Sequence, residues 1–143
     1  MRKGFTILEI LLVVAIIAIV AGIGIPFYYS FVTRNNLDLA EENVYEAYTR
    51  AHVKAQAGDR DTSWGLYVTD GSATVFSGNS FATRNGAYDE QFSFSENIVA
   101  SGLTEVVFSK LEGEAGSTGQ TVLTDTSGNI RTINVNAKGT ISF

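Results

Sequence analysis

The sequence predicts an α+β fold, a long N-terminal helix packed against a mostly antiparallel β-sheet headgroup. Two changes of pattern along the 143 residues predict it. From Ile10 to Thr33 there is no charged residue and most positions are Ile, Leu, Val or Ala, and between Asn35 and Gln56 apolar residues recur at three- and four-residue spacing. From Trp64 onward the period changes to two, punctuated by Gly-, Asp- and Asn-containing turns.

The uncharged run comes first. About 20 residues at about 1.5 Å each span roughly 30 Å of hydrocarbon, so the run predicts membrane insertion. Arg2 and Lys3 precede it, which keeps the N-terminus cytoplasmic and sends everything after about Pro26 across the bilayer. Phe27, Tyr28, Tyr29 and Phe31 follow it and suit a membrane–water interface, with packing against protein as the alternative. A secretory signal peptide would need a shorter apolar stretch and a small-x-small cut site, and Ala18 to Ala21 is a poor mimic of one. Glu9 is the odd residue, since a carboxylate at the centre of a bilayer helix costs about 2.5 to 3.5 kcal/mol and needs a partner even near an interface.

In the amphipathic stretch Leu37, Ala40, Val44, Ala47, Tyr48, Ala51 and Ala55 form one face, with Asp38, Glu41, Glu42, Glu46, Arg50 and Lys54 largely on the other. Gly58 is placed to end the helix and Gly58 to Thr62 reads as a loop. Strands are expected at Trp64 to Thr69, Ala73 to Ser77, Gln91 to Ser95, Thr104 to Ser109, Gln120 to Thr124, Ile130 to Asn136 and Gly139 to Phe143. Turns are expected at Asp70-Gly71, Ser127-Gly128-Asn129 and Ala137-Lys138-Gly139. Gly113 to Gly119, small and polar, reads as a mobile loop.

Composition removes most site chemistry. The chain has 10 basic and 15 acidic side chains, a formal charge of -5, no Cys and one His. That balance disfavours nucleic-acid binding by charge neutralisation, and the missing Cys excludes thiol chemistry, disulfides and Cys-ligated metal. Asp59-x-Asp61 is the nearest approach to a calcium loop, far short of an EF-hand, and a solvated loop is favoured; Asp89-Glu90 is similarly weak. His52 reads as a surface or packing residue. Gly22-x-Gly24 lies inside an apolar helix rather than after a strand, and no Ser-His-Asp spacing stands out. No catalytic residue, metal site or cofactor is predicted.

The segment Lys3-Gly4-Phe5-Thr6-Ile7-Leu8-Glu9-Ile10-Leu11-Leu12-Val13-Val14 resembles the N-terminal signature of type IV prepilins and type II secretion pseudopilins. The resemblance implies cleavage between Gly4 and Phe5 by a prepilin peptidase, N-methylation of Phe5, a leader containing Arg2 and Lys3, and an assembly role for Glu9, the fifth residue after the cut. It continues through Gly22, Gly24 and Pro26, where the helix should bend or locally melt. More loosely, Trp64-Gly65-Leu66-Tyr67-Val68, Val106-Val107-Phe108, Ile130 to Asn136 and Gly139-Thr140-Ile141 resemble the headgroup of H-type pseudopilins and minor pilins. The C-terminal disulfide of major pilins cannot form here.

The resulting organisation is a leader over 1–4, a transmembrane and filament-core helix over 5–33, the amphipathic helix over 34–57 and a β-rich headgroup over 58–143. The resemblance implies a structural subunit bundled through its helices into a pilus or pseudopilus. The alternatives are a minor pilin or H-type pseudopilin that primes or tips a filament, and a monomeric membrane-anchored binding module. Implied partners are the inner or cytoplasmic membrane, prepilin peptidase, other copies or pilins and the assembly platform. The implied location is a single-pass membrane protein, then an extracytoplasmic filament. Some minor pilins bind DNA through an Arg-rich C-terminus, but Asn134 to Phe143 holds only Lys138 as a charged residue, so strong DNA binding is not expected.

Overall fold

The computed structural model describes residues 4–143, with the side chains of 23–27, 29 and 30 outside that description; Arg2 and Lys3 lie outside it altogether. The chain divides into two compact units, Met1–Val32 and Thr33–Phe143. Helix α1 covers Ile7–Gln56 and contributes to both. Helical backbone continues through Gly22, Gly24 and Pro26, so the local melting expected there is not seen. One proline removes one donor from the ladder, and the long helical segments on both sides propagate the helix past it.

In the second unit the amphipathic half of α1 buries the stripe that its spacing predicts. Leu37, Ala40, Val44, Ala47, Tyr48, Ala51 and Ala55 are all fully buried. Four of the seven are alanines, whose small side chains let strands lie close to the helix. The helix ends as expected: Gly58 adopts φ 63, and its N–H and that of Leu111 both bond to the Ala55 carbonyl at 3.0 and 2.9 Å. Beyond it, Asp59–Asp61 is a short 3-10 turn in which Arg60 and Asp61 also take positive φ.

The strands are β1 (Trp64–Thr69), β2 (Ser72–Ser77), β3 (Glu90–Ser93), β4 (Val99–Gly102), β5 (Glu105–Phe108), β6 (Gly119–Thr124), β7 (Ile130–Val135) and β8 (Ile141–Ser142). They form two four-stranded sheets, β3-β2-β1-β5 and β4-β6-β7-β8, and every pairing is antiparallel. Trp64, Leu66, Val68, Val75, Val106 and Phe108 from the first sheet and Leu123, Ile133 and Val135 from the second join the α1 stripe in one core.

Two segments differ from the sequence-based expectation. Val99–Gly102 is a strand, although its mostly exposed residues show no alternation; the Asp70 carboxylate accepts from the Ala100 N–H at 2.8 Å and pairing with β6 supplies the ladder. Gly113 to Gly119 is tied rather than free. Ala115 N–H bonds to the Ala137 carbonyl at 3.1 Å, Gly116 N–H to Val107 at 2.8 Å, and Ala115 bridges to Phe108. Small residues serve here for close backbone approach: a Cβ at Gly139 would strike the Gly113 carbonyl and the His52 ring.

The two sheets treat their outward faces differently. The first is covered by the chain's own segment 78–89. Phe81 stacks on Tyr67 with centroids 4.1 Å apart and meets Phe76 edge-on at 5.6 Å, and Phe76 is fully buried although it points away from α1. The Arg84 guanidinium lies 3.5 Å over the Phe81 ring and pairs with Asp89 at 2.8 Å. The outward face of the second sheet consists of three cross-strand rows, Gln120–Asn134–Ser142, Ser101–Val122–Thr132 and Val99–Thr124–Ile130.

Candidate functional site: the N-terminal helix

Thr6 starts the helix. Its hydroxyl accepts the Glu9 backbone N–H at 3.3 Å, and its carbonyl accepts Glu9 and Ile10 N–H groups at 3.2 and 3.3 Å. Thr6-x-x-Glu9 is therefore the N-cap and third helical position of α1, where the unpaired N–H groups favour a negative charge. This pattern was readable in the sequence, and the attention that Glu9 draws as a membrane carboxylate hid it.

Around Glu9 the surface is apolar. Phe5, Ile10, Val13 and Val14 line a shallow groove of about 370 Å³ with it. Glu9, Ile10, Val13 and Val14 share one side of the helix, since offsets of one, four and five residues from Glu9 fall within an arc of about 140° at 3.6 residues per turn. Every described side chain from Gly4 to Gly22 is exposed, including Phe5 at 79% and Ile7 at 81%. Twelve large apolar side chains between Phe5 and Val20 are exposed; at about 1.5 to 3 kcal/mol each, burying them is worth on the order of 20 kcal/mol. Such a surface does not remain in water.

Among the described residues, no helix is long and apolar enough to cross a membrane. The uncharged run of the sequence extends into 23–27, 29 and 30, whose side chains are outside the description. Tyr28 and Phe31, from the expected interfacial cluster, are exposed at 67% and 70%. The ion pairs among the described residues all lie in the second unit, so none engages Glu9.

The headgroup candidates have partners within the headgroup. Asp59 is paired with Lys54 at 3.5 Å and Asp61 with Lys110, whose hydrogen bond and charge hold the Asp61 carboxyl below its ordinary range. Both carboxylates of the possible calcium loop thus already have lysine partners, and no group of metal-ligating side chains occurs among the described residues. Asp89 pairs with Arg84, and Glu90 with Arg50 and Lys54. His52 packs edge-on against Phe108 with centroids 5.2 Å apart, as a packing residue.

Residues 1–25 match the family of the prokaryotic N-terminal methylation motif. The chain is 32% identical over 87 residues to a fimbrial protein of Pseudomonas aeruginosa, covering 55% of this chain and 56% of the relative. It is 31% identical over 96 residues to a fimbrial protein of Moraxella nonliquefaciens, covering 67% and 56%. The chain carries the N-terminal motif of type IV prepilins and is similar to type IV fimbrial proteins. A third relative, the type IV major fimbrial protein FimA of Dichelobacter nodosus, is 31% identical over 80 residues, covering 52% of this chain and 51% of its own. The chain spans about half the length of these curated relatives. No solved structure matches it. Gly4, Phe5 and Glu9, the residues singled out from the resemblance, are all exposed, Gly4 and Phe5 just before α1 and Glu9 in its first turn.

Proposed function

We propose that this prepilin is a structural, non-enzymatic subunit that is cut between Gly4 and Phe5, methylated on Phe5 and packed through the apolar half of α1 into a filament. The observation that carries the reading is the exposed apolar helix face around Glu9. Before assembly the bilayer covers that face; in the filament, the helices of other copies do. Arg2 and Lys3 hold the leader on the cytoplasmic side, where the peptidase cuts, and the headgroup lies outside the cell membrane.

Cleavage exposes an amino group on Phe5. At about 4 Å and an effective dielectric near 20, an opposite charge attracts it by roughly 4 kcal/mol before desolvation. Glu9 of a neighbouring copy supplies that charge, so docking selects processed chains, because an uncleaved chain has an amide at Phe5.

The relatives named as fimbrial proteins favour a pilus over a secretion pseudopilus. A minor, filament-priming subunit is the second reading, and copy number decides it. Shearing filaments from cells and measuring the share of this chain in them tests the proposal: a bulk component supports the structural subunit, a trace component the minor one, and absence contradicts both.

A further inference from the structure

The Gly4–Phe5 bond lies just outside the helix. Gly4, Phe5 and Thr6 are exposed and not helical, and α1 begins at Ile7. A Cβ built on Gly4 would meet nothing within 4 Å, so the space around the bond is open. Among the described residues no hydrogen bond reaches the Gly4 carbonyl; the first carbonyl that the helix uses is that of Thr6, which accepts the Glu9 and Ile10 N–H groups. The Thr6 hydroxyl accepts the Glu9 N–H as well and fixes the start there.

We propose that Thr6 is a positioning residue for cleavage: by capping α1 it stops the helix from growing back over the Gly4–Phe5 bond, and so presents that bond to the peptidase in non-helical form. The inference rests on the cleavage reading above. In the hydrolysis, water adds to the Gly4 carbonyl carbon, the bond to the Phe5 nitrogen breaks, Gly4 leaves as a carboxylate and the nitrogen takes up a proton. Negative charge develops on the Gly4 oxygen as water adds, so that oxygen must be free to meet donors of the peptidase. In a helix that started at Gly4, the same oxygen would accept the Leu8 N–H and its peptide would be aligned with the helix axis.

Such a start is close at hand. Gly ranks with Thr as an N-cap, and neither Phe5 nor Thr6 breaks a helix, so the identity of the cap decides between the two starts. Once the hydroxyl is gone from position 6, Gly4 is the best cap left before Ile7, and the helix start moves back by two residues. Losing one side-chain cap shifts the balance between the starts about fivefold. Fewer chains then offer the open bond, which weakens apparent binding by that fraction and leaves the bound reaction as it was.

The test incubates the full-length chain, in detergent micelles, with a purified prepilin peptidase and follows the release of residues 1–4. Thr6→Val keeps the shape of Thr and loses the cap; it is expected to raise KM about two- to fivefold with kcat unchanged. Thr6→Ser and Thr6→Asn change the shape and keep the cap, and both are expected to restore the wild-type KM. The carbonyl carbon shifts of Gly4 and Phe5, read by NMR without the peptidase, should move toward helical values in Thr6→Val alone. A wild-type KM for Thr6→Val, failure of Thr6→Asn together with Thr6→Val, or unmoved shifts in Thr6→Val would each overturn the positioning role and leave the cleavage reading intact. Wild type left whole overturns the cleavage reading itself and the role of Thr6 with it.

Discussion

The Tyr48 hydroxyl lies 2.6 Å from the Thr121 hydroxyl, fully inside the core, and joins the amphipathic half of α1 to β6. Thr121 donates its one proton to the Leu103 carbonyl, so Tyr48 is the donor in the shared bond. Tyr48→Phe removes one hydrogen bond and should cost about 1 kcal/mol, whereas Thr121→Val leaves a buried hydroxyl and a carbonyl unpaired and should cost about 2 to 3 kcal/mol. Urea unfolding of the headgroup measures both, and equal losses would contradict the assigned direction.

The same pair sets an alkaline limit. Burial raises the Tyr48 hydroxyl above its ordinary pKa of 10.0. A group whose pKa is higher in the folded state retains its proton there longer, so its stabilising contribution is complete below the unfolded value and is lost as pH rises beyond about 10. Stability measured between pH 9 and 11 should fall in wild type and fall less in Tyr48→Phe.

At the other end of the sheet, burial opposes the charge on Asp125, but bonds from Asn129, Ser127 and Gly128 prevail and hold its carboxyl below the ordinary range. It accepts the Ser127 and Asn129 N–H groups and the Asn129 amide, each at 2.8 Å, and so fixes the β6–β7 turn. Its contribution is present above about pH 4 and disappears as pH falls through the lowered value. Asp125→Ala should cost about 2 kcal/mol at pH 7 and flatten the acid limb of the stability profile.

The headgroup should stand without the apolar half of α1, because the stripe from Leu37 to Ala55 covers the sheets whether or not anything precedes it. A fragment beginning at Arg34 is expected to be folded and monomeric by circular dichroism and light scattering. An unfolded or obligately aggregated fragment would contradict that boundary.

How much of this was legible depended on whether the signal was periodic. The seven positions from Leu37 to Ala55 were readable because a helix face repeats, and the hairpins around Gly71, Gly128 and Gly139 because their turns need positive φ at glycine. β4 was not, since an edge strand with Val99 exposed has no inward and outward alternation. Nor was the cover over the first sheet: Phe81 stacking on Tyr67 is a contact between residues fourteen apart that no local pattern announces. At the N-terminus Gly4, Phe5 and Glu9 were readable as a motif, and so was the Thr6-x-x-Glu9 spacing of a helix start, which the bond from the Glu9 N–H to the Thr6 hydroxyl completes.

Glu9→Ala should still be inserted and cut but should enter filaments poorly when no wild-type copy is present. Normal incorporation would remove the pairing of Glu9 with the amino group of Phe5.

The most direct measurement is the intact mass of the chain recovered from sheared filaments. The account predicts a single species that begins at Phe5, lacks Met1 to Gly4 and carries one methyl group on its amino terminus. Filaments built from chains that retain Met1 would contradict it.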